Sequence, residues 1–169
     1  KMGGVYNRIP LTYVCMLIGS FALMGIPFLS GYYSKDLILE FIFLSDQGFK
    51  SFAFIAGVTG VLLTTLYSSR LLIHVFHRTN LSDEKVYAHI HESPPLMIFP
   101  LIILATFSIF FGMFFHQSFA GQNLENIWTN LMYINVDLNK SYYLGEIPKV
   151  IKKLPLIMIL VGIFISFII

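Results

Sequence analysis

Apolar residues run along this chain in long blocks separated by short polar stretches. The blocks set the expected architecture, because about 20 apolar residues are needed to cross about 30 Å of hydrocarbon as a helix. Phe52 to His77 (FAFIAGVTGVLLTTLYSSRLLIHVFH) and Pro95 to Phe115 (PLMIFPLIILATFSIFFGMFF) meet that length. Leu154 to Ile169 falls a little short of it and runs to the last residue. The block from Pro10 to Leu44 is too long, since one continuous helix would measure about 50 Å. The pattern therefore predicts an all-α membrane protein of about four transmembrane helices, the first of them discontinuous.

The excess length coincides with helix-breaking residues in GIPFLSGYYSKDLILE, Gly25 to Glu40. Pro27 has no N–H to donate and disfavours the helical conformation at Ile26. Gly25 and Gly31 permit dihedrals that other residues resist. Ser30 and Ser34 have hydroxyls suited to capping a restarting helix. The first span is accordingly expected to be interrupted between Gly25 and Ser34, with a second half-helix from about Ser34 to Leu44. A break at that depth frees backbone polar groups, which is tolerated only against protein or a wet cavity.

Lys35 and Asp36 stand just past the break. Counting back from Leu44 places Lys35 about 15 Å inside, near the bilayer middle. A cation there costs about 2.5 to 3.5 kcal/mol on the insertion scale, so a compensating role is expected. Lys35 and Asp36 as a proton relay is one reading; a snorkelling lysine beside a capping aspartate is the other. Neighbours on a helix point about 100° apart, so each needs protein or water partners elsewhere, with Ser68, Arg70, His74 or another chain as candidates. By the same reasoning, exchanging Lys35 for Met relieves the cost of burial, so stability should hold or rise.

The second span carries Thr64, Thr65, Ser68, Ser69, Arg70, His74 and His77 in its latter half. Arg70, His74 and His77 follow a spacing of four then three, which sets them on one helical face. Either the stripe extends the relay, or Arg70 holds a neighbouring helix or lipid phosphate while the histidines sit at the interface.

Composition narrows the class further. Hydrophobic residues make up 56% of the 169 and charged ones 12%, with a mean hydropathy of +0.75, far from the soluble average. A net charge of +2 without basic runs interleaved with aromatics argues against nucleic acid as a partner. The single Cys15 lies in an apolar run and reads as a packing residue. HIHE, His89 to Glu92, lacks the second cluster or the i, i+4 histidine pair of a metal site and reads as a solvated loop. No metal site, nucleotide-binding loop or nucleophile with its base is expected. The connection from His116 to Lys153, with Trp128, Tyr133, Tyr142 and Tyr143, has the mixture of a segment lying at the membrane interface. Lysine and arginine counts on the two sides are too even to orient the chain. With no initiator Met and no signal-peptide pattern at KMGGVYNRIP, the chain reads as part of something longer.

KMGG at Lys1 to Gly4, the run IGSFALMGIPFLSGYYSKDLILE and the following TTLYSSRL together closely resemble the subunit 5 family of NADH:ubiquinone oxidoreductase, respiratory complex I. The similarity continues through SPPLMIFPLIILA and, more weakly, to the end of the chain. The resemblance implies the C-terminal part of an antiporter-like helical bundle in a proton-translocating subunit. It makes Pro10 to Leu44 like that family's second discontinuous helix, with Lys35 and Asp36 in the exit half of the proton channel. It also implies that the first residues and the Arg78 to Ser93 loop face the matrix or cytoplasm. NADH, FMN, iron–sulfur clusters and ubiquinone would be bound by other subunits, and none by this chain. Partners would be other complex I membrane subunits, including a chain carrying the missing N-terminal part, together with membrane lipids. The implied location is the mitochondrial inner membrane, or a bacterial plasma membrane. The family's N-terminal channel half and C-terminal lateral helix have no counterpart here. The alternative is a fragment of a related cation/proton antiporter or membrane-bound hydrogenase subunit.

Overall fold

The computed structural model describes residues 3–44, 48–79, 87, 89–120 and 148–168. The segment with Trp128, Tyr133, Tyr142 and Tyr143, expected to lie at the membrane interface, is outside them, as are Lys1, Met2 and most of the loop after Thr79. The described residues form helices α1 (Pro10–Met24), α2 (Ser30–Leu44), α3 (Lys50–Leu72), α4 (Pro95–Ala120) and α5 (Lys149–Ile168). A short 3-10 turn, Val5–Asn7, precedes α1, and a π-helical turn, Ile73–His77, extends α3. Lys50–His77, Pro95–Phe115 and Lys149–Ile168 are each long and apolar enough to cross a membrane, with 28, 21 and 20 residues. With α1 and α2 as one broken span, this is an all-α, multi-pass membrane arrangement.

Several boundaries move from their expected places. The second half-helix restarts at Ser30, about a turn before Ser34. Ser34 does not cap it: its hydroxyl donates back to the Gly31 carbonyl at 3.2 Å. The last span begins at Lys149 and not Leu154, and so reaches full membrane length. α4 continues past Phe115 to Ala120. Sequence reading starts spans at the first uninterrupted apolar residue, whereas helices extend through polar ends where lysine stems reach the interface.

Helix α3 forms the centre of the packing, with α1 and α2 along it and α5 on another side. Leu39, Val58, Val61 and Ile159 make a buried cluster where α2, α3 and α5 meet. Small residues allow these close approaches. A Cβ on Gly162 of α5 would lie 2.9 Å from the Thr65 Cβ, and one on Gly112 of α4 would lie 2.5 Å from the Ser30 Cα. At one end of the bundle Tyr6 stacks on His77, with ring centroids 6.0 Å apart, and the Tyr87 hydroxyl donates to the Gly4 carbonyl at 2.9 Å. At the other end Lys152 stands 3.9 Å from Glu40. The broken span thus enters at the end that holds Tyr6 and leaves at the end that holds Glu40.

Candidate functional site: a lysine on a broken helix

The last four carbonyls of any α-helix have no partner within it. In α1 these belong to Phe21, Ala22, Leu23 and Met24, and all four find donors. Gly25 adopts the left-handed conformation, φ 90°, that commonly ends helices and that other residues resist. Its N–H donates to Ala22 at 3.1 Å, and the Ile26 N–H donates to Phe21 at 3.1 Å. The chain then crosses Phe28, a non-glycine residue at φ 77°, and turns into α2.

Leu23 and Met24 are satisfied by Lys35. Its Nζ donates to the Leu23 carbonyl, to the Met24 carbonyl at 3.2 Å and to Thr64 Oγ1 at 3.3 Å. The ammonium therefore closes the C-terminal end of α1, where the helix dipole presents about half a negative charge. This placement explains how a cation is accommodated in the middle of a span. It also places Lys35 against protein, not snorkelled to a headgroup.

Asp36 takes the Tyr32 hydroxyl as its hydrogen-bond partner, one turn earlier on α2. The pair is thus split between two environments, as adjacent helical positions require.

The expected partners from α3 fall elsewhere. Thr64, not Ser68, Arg70 or His74, reaches Lys35. Ser68 is buried with no hydrogen-bond partner among the described residues. Arg70 Nε donates to His74 Nε2 at 3.2 Å, and His74 Nδ1 lies 3.2 Å from Arg78 Nη1. His74 is about 15 Å further along α3 than Thr64, at about 1.5 Å per residue. Arg70 and His74 therefore form a separate cluster at the helix end. His77 parts from them because the π turn inserts an extra residue into the winding, marked by the Arg78 N–H donating to Ile73 at 2.9 Å. It pairs instead with the Tyr13 hydroxyl, 3.3 Å from its Nε2.

The HIHE stretch has a structural task that sequence reading missed. Glu92 accepts from the Thr12 hydroxyl at 2.7 Å and from the Thr12 N–H at 2.9 Å, capping the start of α1 from a distant loop. The hydroxyl bond is the main cause that holds the Glu92 carboxyl below the usual carboxylate range. A carboxylate depressed in the folded state stabilises above its unfolded value, about 4.3, and loses that contribution as the pH falls through the folded value. Glu92→Gln is therefore expected to lower amide protection at Thr12 near neutral pH, with the gap to the unsubstituted protein closing as the pH falls through the depressed folded value. Hydrogen exchange across that range checks it, and a gap independent of pH would disprove the charge's role. Among the described residues, no three His, Cys, Asp or Glu side chains stand together as metal ligands.

Comparison with known proteins agrees with this architecture. Residues 1–64 match the family model for the membrane domain of NADH:quinone oxidoreductase/Mrp antiporter proteins, a region that includes Gly25, Lys35, Asp36 and Thr64. The chain is 42% identical over 163 residues to NADH-ubiquinone oxidoreductase chain 5 of Dictyostelium citrinum, covering 96% of this chain and 24% of that protein. It is 40% identical over 167 residues to the protein of that name in Phytophthora infestans, covering 99% and 25%. NADH-quinone oxidoreductase subunit L of Rickettsia typhi is 40% identical over 166 residues, covering 98% and 24%. Over nearly all of its residues, this chain is homologous to a stretch that makes up about a quarter of NADH-ubiquinone oxidoreductase chain 5, and its first 64 residues match the antiporter-like membrane domain.

Proposed function

We propose that this chain forms part of the proton-translocating, antiporter-like membrane arm of an NADH:quinone oxidoreductase, where it contributes the exit half of a proton channel. The observation that carries the reading is the Lys35 ammonium, held within a broken span on the carbonyls of Leu23 and Met24. A group that exchanges protons there can take a charge from one half of the membrane and pass it to the other, provided water reaches it. Asp36 beside Tyr32 is a second exchangeable group on the same half-helix. Arg70 and His74 line the end of α3 and are assigned to the approach at that surface, away from the break.

In this reading the chain performs no bond chemistry. NADH oxidation, FMN, iron–sulfur clusters and ubiquinone reduction belong to other subunits, and a partner chain supplies the N-terminal channel half. The location is the mitochondrial inner membrane, with a bacterial plasma membrane as the other setting. Mrp antiporters share the matched domain, as its description states, so the test must separate the two. Membranes solubilised in mild detergent and resolved on native gels should show this chain migrating with NADH:quinone oxidoreductase activity. Migration with sodium/proton exchange or hydrogenase activity, and without NADH oxidation, would overturn the proposal.

A further inference from the structure

Lys35 has three partners, and they are not equivalent. An ammonium carries three N–H donors and no acceptor, and here it meets three oxygens: the carbonyls of Leu23 and Met24 and the hydroxyl of Thr64. Removing one proton leaves an amine with two N–H donors and a lone pair. The two carbonyls can only accept, so they can hold the two remaining protons but offer nothing to the lone pair. The Thr64 hydroxyl can do both. With the ammonium present, it accepts from Nζ at 3.3 Å while donating to the Val61 carbonyl at 2.9 Å. With the amine present, rotation about its C–O bond turns that same proton from Val61 to Nζ.

We propose that Thr64 is the positioning residue that keeps Lys35 in one place in both of its protonation states, through a hydroxyl that reverses its hydrogen bond when the lysine gives up its proton. The inference rests on the proton-translocating reading above. Rotation of the hydroxyl breaks the bond to Val61 and forms one to the lysine nitrogen. The released proton leaves from Nζ to water, and no other covalent bond changes. Thr64 lies on α3 whereas Lys35 lies on α2, so the bond also ties the lysine nitrogen to the helix that runs the full width of the bundle.

Two substitutions separate this role from packing. Thr64→Val keeps the shape and removes the hydroxyl; Thr64→Ser keeps the hydroxyl and removes a methyl. In membranes carrying the whole assembly at matched levels, proton uptake per NADH oxidised should be lost in Thr64→Val, which has no hydroxyl for Nζ, and remain near normal in Thr64→Ser. If the Val variant fails to assemble, Thr64→Ala carries the same comparison. Normal uptake in the variants lacking the hydroxyl, or loss in Thr64→Ser, would overturn the proposal. Lys35→Met measured alongside separates the two levels. Normal uptake in that variant removes Lys35 from the pathway, and with it the observation that carries the reading above, whereas loss there with normal uptake in Thr64→Val removes only the role of Thr64.

Discussion

Gly31→Ala is expected to prevent this chain from accumulating in its membrane assembly. The two half-helices do not simply follow one another: the start of α2 lies beside the end of α1, and a Cβ on Gly31 would fall 1.9 Å from the Ala22 carbonyl oxygen and 2.9 Å from its carbon. Both partners are backbone, so no rotamer change relieves the overlap. The helices must separate, which pulls Leu23 and Met24 away from Lys35 and removes the donors at the end of α1. Overpacking in a tight core costs about 1 to 3 kcal/mol, occasionally more, and each unpaired buried carbonyl adds about 1 to 3 kcal/mol. Gly19 is the matched control, because a Cβ there meets nothing within 4 Å. Gly19→Ala sits within α1 and should be neutral or stabilising by up to about 1 kcal/mol. Native-gel quantification of both variants tests the pair, and normal assembly of Gly31→Ala would refute the close approach.

Lys35 variants should separate charge from proton exchange. Arginine keeps a cation with donors for the α1 carbonyls but does not release its proton near neutral pH. Lys35→Arg is therefore expected to assemble while losing most NADH-driven proton uptake. Lys35→Met loses uptake too, but the structure changes its expected stability. Relief of a buried charge is only half of the balance, since the methionine also leaves the Leu23 and Met24 carbonyls without donors. Stability should fall, by about 1 to 3 kcal/mol for each carbonyl that water does not reach. Proton uptake coupled to NADH oxidation, normalised to assembled complex, is the measurement. Normal uptake by the Arg variant would reduce Lys35 to a fixed charge, and normal uptake by the Met variant would remove it from the pathway.

The broken span was legible because its causes are local. Excess length, Pro27 and Gly25 lie within one stretch, and the structure breaks the helix between Met24 and Ser30. The place of Lys35 just past the break was legible for the same reason. Its partners were not. The Thr64 contact joins residues 29 apart in sequence, and Glu92 reaches Thr12 across 80. Neither pairing has a periodic signature, since both depend on how helices settle against one another. Helical spacing alone put His74 and His77 on one face, and the π turn sends them to different neighbours. The expected stability sign for Lys35→Met differs between sequence and structure because desolvation can be read from residue type, whereas the end of α1 as an acceptor site appears only in three dimensions.

On the proposed proton path, the mid-span position of the α1 terminus would also set how the lysine feels the membrane voltage. Moving one elementary charge across the whole membrane is worth about 2.3 kcal/mol per 100 mV. A cation held at the end of a half-helix stands near the middle of that drop, so a proton arriving from either side traverses about half of it, or about 1.1 kcal/mol per 100 mV. Neither the filling nor the emptying of Lys35 then has to work against the full electrical gradient in a single step. On the proposed path, breaking the span at Gly25 would divide the opposing voltage into two smaller barriers, with the acceptors on Leu23 and Met24 fixing where that division falls.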